Sequence, residues 1–285
     1  NKQINNFKKK TIKVDGDKSL SIRFILLSSL SKGRCTASNL LRSEDVQSAI
    51  NSIKKLGIKI KLKNDYCEVN GKGLYGLKFK KNLVLNLENS GTAARLMFSI
   101  ISNSNHWIKI TGDNSLKKRD MGRVIKPLKL FGIKFKRNNT KLPIWIKGPK
   151  FLKPIKYTEN LGSAQCKSAM MIAALRAKGK TELKCLPSRN HTEIMFKNVF
   201  KIPIKIKKEK DYDIIKVRGI NEFNGFNYKI PGDISSASFF IVLTLLSKKN
   251  SLLIKNININ PSRTGILKIL NIMGAQIRIF KKKYY

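Results

Sequence analysis

The sequence predicts an α/β fold assembled from about four copies of one unit of roughly 70 residues. The prediction rests on a recurrent helix, its spacing, and what lies between the copies. Four segments open on small polar residues suited to a helix N-cap and then turn apolar: DKSLSIRFILLSSL (17–30), NSGTAARLMFSII (89–101), SAQCKSAMMIAAL (163–175) and DISSASFFIVLTLL (233–246). Their starts lie 72, 74 and 70 residues apart. Between them fall segments that read as an amphipathic helix, a turn that often contains glycine, and a strand.

In chain order, TIKV (11–14) reads as a strand and DGDKS as a turn and cap before the first apolar helix. SEDVQSAINSIKKLGIKI (43–60) reads as the first amphipathic helix and its strand. GKGLYG (71–76) fits a dinucleotide-binding spacing, but a strand-like run follows it where that site needs a helix, so it reads as a glycine-rich turn. WIKIT (107–111) is a strand. SLKKRDMGRVIKPLKLFGIKF (115–135) repeats the helix–turn–strand pattern. TELKCL (181–186), SRNHTEIMFKNVFKIPIKI (188–206), SLLIKNI (251–257) and SRTGILKILNIMGAQIRI (262–279) continue the alternation.

Composition narrows the function. The 285 residues carry 59 Lys+Arg against 17 Asp+Glu, a formal net charge of +42. That excess suits a polyanionic partner such as nucleic acid. It also suits a codon bias towards Lys, Asn and Ile that decorates every surface alike. The lysines are spread along the whole chain without basic clusters rich in aromatics, which favours the second reading and argues against nucleic acid. Either way the field attracts small anions.

Four cysteines show no CxxC pairing and there are only two histidines, so no metal site is expected. FFIVLTLL (239–246) is too short to span a membrane and no signal-peptide pattern is visible. A reducing, cytoplasmic location is expected, and no cofactor.

The apolar helices open onto candidate anion seats. Ser19 and Arg23 are four apart and share a helix face, and Lys18 reaches the same spot. The helix N-terminus adds free N–H groups and partial positive charge. In ENSGTAAR, Gly91 admits close approach to the backbone, and Asn89, Ser90 and Thr92 offer hydrogen bonds. Arg119 has a planar fork suited to carboxylate or phosphate. Ser163 and Gln165, with Lys167 nearby, and Ser188 and Arg189 repeat the logic in the third unit.

DGDKSLSIR, LENSGTAARLM, GDNSLKKRDMGRVIKPL, GSAQCKSAMMIAAL, PSRNHTE, IPGDISSASFF and NPSRTG, in this order, resemble the 5-enolpyruvylshikimate-3-phosphate (EPSP) synthase family over nearly the whole chain. The resemblance implies an inverse α/β barrel-like enolpyruvyl transferase fold of βαβαββ repeats, with about four of six units present. It implies a continuous three-repeat substrate-binding domain at 15–228, and an incomplete second domain from 1–14 plus 229–285. The activity implied is transfer of the enolpyruvyl group from phosphoenolpyruvate to the 5-hydroxyl of shikimate 3-phosphate, with release of phosphate. This is a step of aromatic amino-acid biosynthesis, carried by a monomer when complete.

Carried over by motif, Lys18, Ser19, Arg23, Ser163, Ala164, Gln165, Ser188 and Arg189 hold shikimate 3-phosphate. Lys18, Asn89, Gly91, Arg119 and Gln165 hold phosphoenolpyruvate. Glycine at position 91 matches the form sensitive to glyphosate. Glu88 and Asp120 depart from the family, where glycine and proline are common. The family's acid–base groups, an Asp and a Lys–Glu pair, fall in the last two repeats, so no catalytic residue is assigned here. Asp233 lies in a matching motif but reads as a helix cap.

Overall fold

The structure, a computed structural model, describes residues 9–136, 139–247 and 250–280. It divides into two units, Lys18–Ile230 and Asn1–Asp17 with Pro231–Tyr285. The chain enters through β1 (Lys10–Ile12), which belongs to the second of these.

The larger unit repeats one pattern three times. Its first repeat contains α1 (Lys18–Ser28), β2 (Lys32–Ser38), α2 (Glu44–Lys55), β3 (Lys59–Lys63) and β4 (Tyr66–Lys72). The second contains β5 (Val84–Asn86), α3 (Gly91–Ile100), β6 (Ile108–Thr111), α4 (Asn114–Lys118), α5 (Gly122–Leu130), β7 (Lys134–Lys136) and β8 (Ile144–Lys147). The third contains β9 (Lys156–Glu159), α6 (Ala164–Ala174), β10 (Lys180–Cys185), α7 (His191–Ile194), β11 (Ile204–Lys208) and β12 (Asp213–Arg218). A π-helical turn, Met195–Val199, prolongs α7.

The second and third repeats form four-stranded sheets ordered β5-β6-β8-β7 and β9-β10-β12-β11. In each, the first pair is parallel and the others antiparallel. The first repeat lacks a leading strand of its own. β13 (Asn227–Lys229) supplies it from the far end of the unit, running parallel to β2 with Asn227 opposite Thr36. The same order, β13-β2-β4-β3, results.

The three apolar helices pack together. α1 and α6 show no one-sided apolar stripe, which suits a fully buried helix rather than an amphipathic one. From Leu20 to Ser28 every residue of α1 is buried, and from Cys166 to Ala174 every residue of α6. α3 buries all but Thr92 and Arg95. The chain after α6 brings in Arg176, 3% exposed, whose guanidinium donates to the carbonyls of Leu74 (2.7 Å) and Ser99 (2.9 Å) and to Ser102 Oγ (3.2 Å). It satisfies a carbonyl in the last turn of α3, where unpaired acceptors and negative dipole gather. Burial pushes its pKa down to about 10.

The other unit contains β1, α8 (Ile234–Leu246), β14 (Leu252–Ile254) and α9 (Gly265–Ile272). β1 and β14 pair in parallel, with Lys10 opposite Leu252. Its core is small: Val14, Ile234, Ala237 and Leu267. α8 is also apolar all round, yet Phe239 and Leu246 are each 78% exposed. Asp233 caps α8, its carboxylate accepting from Ser235 N at 2.8 Å.

Two local expectations differ from the structure. The helix that opens the helix–turn–strand segment at 115–135 breaks into α4 and α5, because Arg119 takes extended backbone and Asp120 accepts from Gly122 N (3.1 Å) to restart the chain. The strand expected at AQIRI does not form. Among the described residues of that unit only β1 and β14 are strands, and they pair with each other. GKGLYG is the end of β4 and a turn, as expected.

Candidate active site

Three helix N-ends meet at one end of the larger unit. Ser90 caps α3, its hydroxyl accepting from Ala93 N, and Ser163 caps α6, accepting from Cys166 N, both at 3.3 Å. Glu159, 3% exposed, accepts from Leu161 N and Ser163 N and fixes the turn into α6. Gln165, second in α6, donates through Nε2 to the hydroxyl of Thr92, second in α3, at 2.8 Å. Arg23, sixth in α1, donates through Nη2 to Ser168 Oγ, fifth in α6, at 3.1 Å. The helices therefore run alongside one another with their positive ends at the same level.

Around Gln165 lies a cluster of guanidinium groups. Arg95 donates through Nη1 to Gln165 Oε1 (2.8 Å) and through Nη2 to the carbonyl of Asp120 (3.1 Å). Arg119 donates to the carbonyl and side-chain oxygens of Asn89 and to Ser115 Oγ. Asn89 in turn donates to Asp113 (2.7 Å), whose carboxylate also accepts from Leu116 N. That backbone hydrogen bond, first, and the one from Asn89 hold the Asp113 pKa below its ordinary value. Gly91 stands between the arginines. A Cβ there would lie 3.0 Å from Arg95 Nη1 and 3.1 Å from Arg119 Nη1.

The cluster carries unbalanced positive charge. The pKa of Arg95 is lowered, first by burial, then by Arg123 and Arg119; Asp120 only partly offsets this. Its Nε is buried without a hydrogen-bond partner among the described residues. An anion would relieve both the repulsion and the unmet donor.

The second group surrounds α1. Lys18 is half exposed, with its ammonium 2.8 Å from the carboxylate of Asp45 in the first turn of α2. Ser19 is half-buried, and its carbonyl accepts from Arg23 Nη1 at 3.1 Å. Arg23, 3% exposed, also donates through Nε to Thr192 Oγ1 at 2.9 Å. Thr192 and Ser168 share a 2.7 Å hydrogen bond, closing a ring across α1, α6 and α7. Ser188 and Arg189 sit just ahead of α7. Ser188 Oγ is buried without a partner among the described residues, and Arg189 is exposed.

Of the residues singled out in the sequence, Gly91, Asn89, Arg119 and Gln165 fall in one contiguous cluster, with Ser163 and Ala164 at its edge. Lys18, Ser19 and Arg23 belong to the α1 group, joined to the cluster through α6. Arg23 is turned inward, towards side chains rather than solvent, and Lys167, expected near Ser163 and Gln165, is instead fully buried against Glu193. Sequence reasoning missed Arg95, Asp45, Ser168 and Thr192. Arg95 had a signal: it lies four residues after Gly91, one turn along the same face. The others are brought in by long-range packing alone.

Both departures from the family pattern act here. Glu88 has φ of +45°, the left-handed region that glycine occupies freely. Its carboxylate accepts from Asn86 Nδ2 (2.6 Å). Left-handed backbone costs a side-chain-bearing residue about 1–2 kcal/mol, and glycine's extra chain freedom returns about 0.5–1 of that. Glu88→Gly is therefore expected to stabilise the fold by about 0.5–1 kcal/mol in urea denaturation. Destabilisation would show that the Asn86 contact outweighs the strain. Asp120, for its part, supplies the carbonyl that holds Arg95.

A groove of about 280 Å³ elsewhere on this unit, lined by Phe200, Phe223 and Phe226 among others, shares no residue with these clusters. Among the described residues no three His, Cys, Asp or Glu side chains gather as metal ligands. None of their helices is long and apolar enough to cross a membrane.

Comparison with known proteins bears on the family. The family described as EPSP synthase (3-phosphoshikimate 1-carboxyvinyltransferase) matches residues 3–283. The 3-phosphoshikimate 1-carboxyvinyltransferase of Petrotoga mobilis is 44% identical over 277 residues, 95% of this chain and 63% of that protein. That of Caldicellulosiruptor saccharolyticus is 44% identical over 271 residues, 94% of this chain and 62% of the relative. The solved EPSP synthase of Acinetobacter baumannii superposes with a TM-score of 0.89 at 33% identity, covering 99% of this chain and 63% of that one. The chain thus spans a little under two thirds of the length of these relatives. The mixed α/β repeat architecture is the fold these proteins share.

Proposed function

The chain belongs to the EPSP synthase family, and from that premise we propose that it carries the substrate-gripping part of an enolpyruvyl transferase. In the reaction, the 5-hydroxyl oxygen of shikimate 3-phosphate attacks C2 of phosphoenolpyruvate while C3 gains a proton. The tetrahedral adduct then loses phosphate and the C3 proton, leaving the enolpyruvyl ether. Residues 18–230 form the gripping domain in this reading. Lys18, Ser19 and the Ser188–Arg189 segment take the phosphate of shikimate 3-phosphate, with Arg23 behind them. Ser163, Ala164 and Gln165 take its hydroxyls. Asn89, Gly91 and Arg119, with Lys18 and Gln165, seat phosphoenolpyruvate.

The observation that carries the reading is Gln165, held between Thr92 and Arg95 beside Gly91 and Arg119. In this reading its amide, which can both donate and accept, serves two anion seats. Each charge-assisted bond to a phosphate or carboxylate contributes about 1.5–3 kcal/mol before desolvation. Ser188 Oγ and Arg95 Nε, buried without a partner among the described residues, are donors a ligand shell would satisfy. Acid–base catalysis belongs in this reading to the family's last two repeats, and the exposed apolar α8 is the surface such repeats would cover. The protein is read as a cytoplasmic monomer when complete, acting on small molecules.

Calorimetric titration of the purified chain with shikimate 3-phosphate tests the gripping role. Saturable one-site binding is expected, and no binding would overturn it. With both substrates, phosphate release is expected at background from the chain alone and above it after mixing with a relative's last two repeats. Release from the chain alone would contradict the division of labour.

A further inference from the structure

Lys167 of α6 and Glu193 of α7 form an ion pair buried completely inside the larger unit, 0% and 4% exposed. Nζ and Oε1 are 2.6 Å apart. The contact is poorly aligned for a hydrogen bond, and Glu193 Oε2 is buried with no hydrogen-bond partner among the described residues. Ion pairs with unmet hydrogen bonds stabilise a core little or not at all relative to apolar side chains of the same volume. Stability alone therefore gives no account of this one.

Its place in the chain gives another. Lys167 precedes Ser168, and Glu193 follows Thr192, the two hydroxyls that bracket the Arg23 guanidinium. α7 has only four residues before it passes into the π-helical turn, so its own backbone bonds hold it weakly. The apolar contacts of Met195 and Phe196 are non-directional and tolerate sliding. A one-residue slip would turn α7 by about 100° and carry both Glu193 and Thr192 off their partners. A charge pair at 2.6 Å does not tolerate that slip.

We propose that Lys167 and Glu193 are positioning residues: their pair locks the register of α7 on α6, and through Ser168 and Thr192 holds Arg23 and the Ser188–Arg189 segment in place to grip phosphate. The phosphate half rests on the function proposed above; the Arg23 half stands on the geometry alone.

The test is the full chain carrying Lys167→Met with Glu193→Leu, compared with wild type by melting temperature, by NMR of the Arg23 Nε–H exchange with solvent, and by shikimate 3-phosphate affinity. The melting temperature is expected to hold or rise. Exchange is expected to quicken and affinity to weaken, each about tenfold or more, the scale of one charge-assisted hydrogen bond. In a protein whose wild type binds the ligand, either readout staying within about twofold of wild type overturns the proposal. If the wild type does not bind, the function reading fails, and the exchange rate alone decides whether the pair positions Arg23. Should the double variant not fold, the charge-exchanged pair, Lys167→Glu with Glu193→Lys, replaces it. Slow exchange restored relative to Glu193→Leu alone supports the lock, and exchange as fast as in that single variant overturns it.

Discussion

Replacing Arg176 by alanine is expected to cost about 3–5 kcal/mol of folding stability, read as a shift of the urea midpoint at constant slope. Two effects compete. Among the described residues the buried guanidinium has no carboxylate beside it, so its removal relieves a desolvation cost that already pushes its pKa down to about 10. Against that, the carbonyls of Leu74 and Ser99 lose their donor, and a cavity opens where three elements meet. Unsatisfied buried acceptors cost about 1–3 kcal/mol each, and a cavity the size of the lost side chain about 2 more. The losses are the larger sum. Arg176→Met, which refills the space but not the hydrogen bonds, is expected to fall about halfway between. A methionine variant more stable than wild type would show that the buried charge dominates. Ligand affinity is not expected to change in either, because Arg176 serves the negative end of α3 while the proposed site lies at the positive ends.

Gly91→Ala is expected to do the reverse, sparing the fold and damaging the site. The added methyl would press on Arg95 Nη1 and Arg119 Nη1 at 3.0 and 3.1 Å. Both are tips of flexible side chains, so they can yield by a few tenths of an ångström, and alanine is the better helix former at that position. Stability is expected to stay within about 1 kcal/mol. The seat loses a methyl's volume and the alignment of one or two charge-assisted bonds. Affinity for phosphoenolpyruvate, with shikimate 3-phosphate saturating, is expected to fall about 10- to 100-fold. Shikimate 3-phosphate alone should bind within about threefold of wild type. Calorimetry with each ligand separates these outcomes. Equal loss for both ligands would mean that Gly91 does not divide two subsites.

What could be read in the sequence was what is decided locally. Ser90, Ser163 and Asp233 cap their helices through bonds spanning two or three residues, and capping chemistry is written in that span. The repeat was legible because each copy must bury the same kind of helix against its own sheet. The fold class followed from it.

What escaped depends on partners far along the chain. β13 completes the first sheet by pairing residues 191 positions apart, Asn227 with Thr36. The hydroxyls that hold Arg23 come from 145 and 169 residues away. The break between α4 and α5 was hidden because Arg119 and Asp120 fit a helix surface as well as they fit its interruption. AQIRI has the alternation of a strand but, among the described residues of its unit, pairs with neither β1 nor β14. Arg95 was passed over because a single arginine on an apolar helix reads as a snorkelling surface residue. Only the convergence of α3 on α6 turns it into part of a site.

In the proposed function the helix ends carrying Lys18, Gly91 and Ala164 meet to hold one phosphorylated metabolite. Backbone amide NMR of the full chain during titration with shikimate 3-phosphate tests it directly. The expected result is saturating shifts concentrated at the first turns of α1 and α6 and at residues 188–190, with smaller ones at the start of α3. Shifts scattered over the lysine-rich sheet faces and abolished by modest salt would mean that the ligand sees only the general positive field, and would contradict the account.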